Sequence, residues 1–149
     1  MKTKLLFSFL LLLGGLVFSQ SLRNINHKNG IANYRYDVVS YFYGKPQEGS
    51  DKNIVKYMGA DYYFANPQNK AAFQKDPDKY LPQYGGYCAF AMGDSGEKVE
   101  TSPKTYKIIS GKLYLFYNKF FTNTLTSWNK DEKNLIIRAS RNWEKFAGR

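Results

Sequence analysis

The chain has 149 residues and a formal charge of +10, with one cysteine, one histidine, 13 Tyr, 11 Phe and 2 Trp. That length holds one ordinary domain, and a lone cysteine excludes an internal disulfide. The lysines are scattered, with no basic run and no arginine-rich face, which argues against a nucleic-acid partner. A diffuse positive surface instead favours solubility or contact with anionic envelope components.

Residues 1–19 read as a signal peptide. Lys2 and Lys4 form a basic start, Leu5 to Phe18 is apolar, and Val17-Phe18-Ser19 offers small residues for cleavage before Gln20. The apolar run is shorter than the roughly 20 residues of a membrane-spanning helix. A periplasmic or secreted protein is expected, with no stable membrane insertion after cleavage. Residues 20–34 are polar and Asn-rich, a leader or linker that docks only near Ile31. The domain proper is placed at residues 35–149.

Along that domain, Tyr36 to Phe42 is β-branched and aromatic and reads as a strand or extended entry into the core. Residues 45–50 read as a loop. Ile54–Met58 and Asp61–Ala65 form a hairpin around Gly59-Ala60. Asn66 as N-cap and Pro67 at the first helical position start a helix that ends near Asp76-Pro77. A short turn to Leu81 follows, then the YGGYC segment and a turn at Gly93 to Gly96. Ser102-Pro103 is expected to cap a helical turn, and Ser110-Gly111 to close a hairpin into Lys112–Asn118, where Leu113, Leu115 and Tyr117 share a face. Phe121, Leu125 and Trp128 fall at helical spacing with Asn118 as N-cap. Asp131 caps a last helix bearing Leu135, Ile136, Ala139, Trp143 and Phe146 on one face. Both tryptophans are expected in the core, and no internal repeat is read.

Chemistry concentrates at LPQYGGYCAFAMG, residues 81–93. The Gly85-Gly86 pair permits a tight turn or a close approach, and Cys88 follows it. In the first turn of a short helix, Cys88 would be favoured as thiolate. A thiolate with Met58, Met92 or His27 is a donor set for Cu(I). The alternative is a buried structural thiol beside Tyr87 and Phe90, with Met58 and Met92 filling core gaps. A third is thiol redox chemistry beside an electropositive neighbour such as Lys70. Asp37, Tyr84, Gly85, Gly86 and Tyr87 are the candidate residues for a small-ligand site with aromatic walls. No catalytic residues are assigned: the lone His27 lies in the leader, the carboxylates are unpaired, and the glycine pair lacks the lysine and strand context of a phosphate loop.

The run VKYMGADYYFANPQNKAAFQKDPDKYLPQYGGYCAFAMG resembles the YHS domain, a small module related to the metal-binding TRASH group. With YDVVSYF before it and KTYKIISGKLYLFYN and RNWEKF after it, the chain is similar to secreted single-domain bacterial YHS proteins. The resemblance implies a link to copper and heavy-metal handling. In the family's metal-handling members cysteines lie on the hairpin and at the following helix start, where this chain has Tyr62-Tyr63-Phe64-Ala65-Asn66. Cys88 and His27 also fall short of the four ligands of a closed zinc site.

The expectation is an α+β domain, a small antiparallel sheet of hairpins with helices around it. Its function is read as an exported, non-catalytic binding protein handling a soft metal such as copper through Cys88. The alternative is a small-molecule or protein-interaction module in which Cys88 is structural, and an envelope protein is the macromolecular partner considered.

Overall fold

The computed structural model describes residues 22–147; the signal peptide read at residues 1–19 lies outside them. Two short strands, β1 (His27–Lys28) and β2 (Ile31–Ala32), pair antiparallel, and Ile31 then pairs parallel with Asp61. This brings them onto a hairpin of β3 (Ser50–Tyr57) and β4 (Ala60–Phe64), giving the order β1-β2-β4-β3. A second hairpin, β5 (Ser102–Ile109) and β6 (Lys112–Phe116), forms its own sheet, and a third pairs β7 (Asn118–Lys119) with β8 (Thr122–Asn123). The helices are α1 (Pro67–Lys75), α2 (Pro77–Tyr80), α3 (Ala89–Asp94), α4 (Thr124–Trp128) and α5 (Glu132–Ala147). The fold is α+β.

The segment read as a leader is a strap across the domain. Ile25 and Ala32 are buried in the first core cluster with Val38, Val39, Phe64 and Phe73, and Leu22 packs against it. Its asparagines make this docking feasible. The Asn26 side chain donates to the Gly86 carbonyl at 3.0 Å, and its N–H donates to the Gly85 carbonyl at 2.8 Å.

No repeat is legible in the residues, yet the structure contains one. In the first hairpin Ser50 faces Phe64 and, beyond a bulge, Ile54 faces Tyr63. In the second, Ser102 faces Phe116 and, beyond a bulge, Tyr106 faces Leu115. Their turns match too: Met58-Gly59 and Ser110-Gly111 all have positive φ, as a two-residue hairpin loop requires. Each hairpin is preceded by a 3-10 turn containing a left-handed tyrosine, Tyr34 (φ 52°) or Tyr84 (φ 56°). Each is followed by a helix that sets one large ring on it. Phe73 packs on Tyr62 and Phe64, and Trp128 packs on Tyr114 and Phe116.

The correspondence extends to Asp37 and Cys88. The Asp37 N–H donates to the Gln47 carbonyl and the Cys88 N–H to the Val99 carbonyl. The Asp37 carboxylate accepts the N–H of Ala65, just past β4, at 2.9 Å. The Cys88 sulfur accepts the N–H of Tyr117, just past β6, at 3.4 Å. Asp and Cys thus do the same work in two halves whose sequences have diverged around them.

Several expected elements form. Asn66 caps α1, its side chain accepting from the Asn69 N–H at 2.8 Å, and Pro67 opens the helix. Others differ for local reasons. Tyr36 to Phe42 is no strand: Asp37 Oδ1 accepts from the Val39 and Ser40 N–H groups, turning the chain into a 3-10 helix at Ser40–Tyr43. Ser102-Pro103 starts β5 instead of a helix. Phe121 has φ 65°, incompatible with a helix, so Asn123 rather than Asn118 caps α4. Tyr117 lies beyond β6, and both faces of that strand are buried. Trp128 is buried as expected, whereas Trp143 is only half-buried.

Asp37 is fully buried and its carboxylate accepts four N–H bonds, from Val39, Ser40, Ala65 and the Asn69 side chain. Truncation strands these donors, so Asp37→Ala is expected to cost about 3 kcal/mol or more in urea unfolding. Burial raises the Tyr84, Tyr87 and Tyr114 phenols above their ordinary value, and Tyr41 and Tyr62 further still. The folded chain holds these protons more tightly than the unfolded chain, whose phenols titrate near pH 10. Their stabilisation is therefore full below about pH 10 and is lost as pH rises above it. A phenolate absorbance titration followed beside circular dichroism should show this class of tyrosines ionising together with unfolding.

Candidate functional site

Cys88 directly precedes α3 and occupies its N-cap position rather than its first turn, and its side chain caps no helical N–H. The side chain is 0% exposed. Its sulfur lies 3.3 Å from Thr124 Oγ1, and the Thr124 hydroxyl donates to the Tyr117 carbonyl at 2.9 Å. A hydroxyl has one proton, so the thiol is the donor to Thr124 while it accepts from the Tyr117 N–H. Both capacities of the thiol are used inside the protein, where it pins the end of β6 to the start of α4.

The proposed soft donors come from separate parts of the fold. Met92, one helical turn on, is buried in the second core cluster with Trp128 and Leu135. Met58 is at the β3–β4 turn, 44% exposed. His27 is exposed in β1, and its Nδ1 accepts from the Gly30 N–H at 3.1 Å. Lys70 belongs to α1, in the first repeat. Among the described residues no group of three or more His, Cys, Asp or Glu is placed to hold a metal ion. Tyr62, Tyr63 and Phe64 are buried aromatic residues of β4.

The candidate small-ligand residues divide differently. Asp37 is consumed by its structural bonds. Gly85 and Gly86 serve the strap: a Cβ on Gly85 would lie 1.8 Å from the Asn24 carbonyl oxygen, and both residues have positive φ. Only glycine admits that contact. Tyr87 donates through its hydroxyl to the Ile25 carbonyl at 3.3 Å. Beside it Lys98 donates to Asn24 Oδ1 at 2.9 Å and lies 4.5 Å from the centre of the Phe146 ring. This clasp joins the strap to α5.

Between strap, first repeat and α5 lies a cleft of about 540 Å³. Tyr62, Tyr84 and Trp143 contribute rings, Met58, Leu81 and Pro82 apolar surface, and Asn24, Asp78, Gln83 and Ser140 polar groups. Tyr84 and Trp143 meet edge to face with centroids 6.3 Å apart, and the Tyr84 hydroxyl lies 3.5 Å from Ser140 Oγ. Of the residues proposed from sequence, Tyr84, Gly85 and Met58 line this cleft, whereas Asp37, Gly86, Tyr87, Cys88, Met92 and His27 do not. Asn24, Asp78, Gln83, Ser140 and Trp143 were missed. They come from segments distant in the chain, and the half-buried Trp143 carries the same helical spacing as a core residue.

The thiol geometry makes a direct prediction. Cys88 in the native protein should resist a thiol-reactive disulfide reagent and react stoichiometrically once guanidinium unfolds the chain. Rapid native-state modification would place the sulfur at the surface.

Residues 48–84 match the family model of the YHS domain. No curated protein and no solved structure matches the chain. The matched span covers the first hairpin, α1 and α2, which is the first repeat without its 3-10 entry, and it ends at Tyr84 inside the turn that opens the second repeat. The chain thus carries a segment that matches the YHS domain, and that segment lies largely in the first of two like-built halves.

Proposed function

We propose that this protein is a non-catalytic binding module of the cell envelope that takes a small organic ligand in the cleft between strap and α5, with Cys88 structural. The observation that carries this reading is the separation of the two features. The sulfur is sealed and its bonds are used, while an aromatic-walled cleft opens elsewhere. Its size falls within the range of small-molecule sites, and a few polar groups among apolar walls are what fix a ligand's orientation. Placement in the envelope rests on the amino-terminal residues, with their basic start and apolar run.

A phenol is protonated at neutral pH and burial raises the Tyr84 pKa further, so it offers the cleft a neutral hydroxyl, and Asp78 is exposed at the rim. A polar aromatic or sugar-like molecule matches these groups by stacking and hydrogen bonding.

The test is a thermal-shift panel of nucleosides, aromatic amino acids and monosaccharides, run beside titration with Cu(I). Ser140 is an exposed helical position at the cleft, so Ser140→Phe should fold normally while filling the site. Binding should raise Tm in the wild type and in Cys88→Ser and be abolished in Ser140→Phe. Stoichiometric Cu(I) binding lost in Cys88→Ser would replace this reading with metal handling.

A further inference from the structure

The hairpin β7–β8 has no counterpart in the first repeat. There the chain passes from β4 through the Asn66 cap straight into α1. In the second repeat six residues from Asn118 to Asn123 form an antiparallel hairpin before α4 begins. Lys119 faces Thr122, which leaves Phe120 and Phe121 as the two loop residues.

Both are poorly suited to that position by any folding criterion. Their φ values are 51° and 65°, a loop conformation that favours Asn-Gly and strains a bulky side chain. Their rings are 85% and 113% exposed, the two most exposed large apolar residues described. The base of the hairpin is nevertheless tied to the domain. The Asn118 N–H donates to Ser102 Oγ at 3.0 Å, Ser102 Oγ donates to the Asn118 carbonyl at 2.9 Å, and the Asn118 side chain donates to Thr105 Oγ1 at 3.1 Å. At its base, Thr124 bonds the Tyr117 carbonyl through both N–H and hydroxyl, and Cys88 takes the Tyr117 N–H.

The charge around the tip is basic. Lys119 adjoins Phe120, and exposed Lys104 lies on β5 between the two residues that anchor Asn118. The acid facing Lys119 is Glu100, whose carboxylate stands 3.8 Å away and is 71% exposed, a loose pair. The chain as a whole carries +10. Two protruding rings backed by cations match the interface of a negatively charged bilayer, where apolar insertion and electrostatic attraction add.

We propose that the Phe120–Phe121 hairpin is a membrane-contact tip that inserts its two rings into the interface of bilayers rich in anionic phospholipid. The attachment is peripheral and reversible; no helix among the described residues is long and apolar enough to cross a membrane. It is independent of the ligand cleft, whose lining includes no residue of this hairpin.

The apolar run at residues 5–18 gives vesicles a second point of attachment, so the readout is placed at the tip itself. Phe121→Trp is mixed with vesicles of equal parts phosphatidylglycerol and acyl-chain-brominated phosphatidylcholine, with wild type as the background for Trp128 and Trp143. The expected result is a blue-shifted, bromine-quenched tip emission that weakens when salt is raised and in vesicles of phosphatidylcholine alone. Phe120→Asn/Phe121→Gly, the favoured loop sequence, should raise Tm yet lower the partition coefficient about tenfold or more, given the apolar area removed. Water-like emission of Phe121→Trp in anionic vesicles would overturn the proposal, as would a lower Tm in the double variant, which would make the rings part of the fold. A concentration-dependent dimer in sedimentation that this variant abolishes would overturn it in favour of a second copy of the chain.

Discussion

One hydrogen bond, made twice, organises this molecule. A buried side chain at the start of each half reaches across and accepts the first backbone N–H beyond a hairpin's second strand. That N–H has left the ladder and lies in a partly buried place, where losing its partner costs more than an ordinary hydrogen bond gains. Satisfying it fixes where each strand stops and where the following helix begins. The rings of Phe73 and Trp128 then land on their hairpins at matching places, each buried against two aromatic residues.

The two acceptors are chemically unequal, and the halves differ accordingly. Asp37 is a carboxylate with room for several donors, and it gathers the β4 end, the α1 side chain Asn69 and the turn at Val39 into one knot. Charge-assisted bonds of this kind are strong. Cys88 offers one weak acceptor and one weak donor, enough for Tyr117 and Thr124 and no more. In the first half the chain turns at once into its helix. In the second it is free to extend by a hairpin before the helix begins, and that extension carries the two exposed phenylalanines.

The strap decides the other functional feature. Without residues 22–32 across the glycine pair, the turn at Tyr84 would lie open beside α5 and no cleft would be enclosed. Gly85 is therefore architectural: it lets the Asn24 backbone pass at a distance no side chain tolerates. The clasp of Lys98 with Asn24 and the Phe146 ring closes the far side. Burial lowers the affinity of that ammonium for its proton relative to a free lysine, but two carbonyl-type acceptors and the aromatic faces hold it in place.

By itself the sequence determined what short-range chemistry controls: the α+β class, the Asn66-Pro67 helix start, the Ser110-Gly111 turn and the amphipathic last helix. Each depends on residues within a few positions of one another, where capping geometry, φ preference and periodicity act directly. The tertiary structure alone decided which side chains are occupied. Cys88 reads as reactive or inert with equal ease until Tyr117 and Thr124 are seen to use both its hydrogen-bonding capacities. A polar, Asn-rich stretch reads as a linker because its partners, the carbonyls of Gly85 and Gly86, are distant in the chain. The repeat was hidden for the same reason: equivalent positions are defined by which N–H they accept, and an aspartate and a cysteine can both accept one.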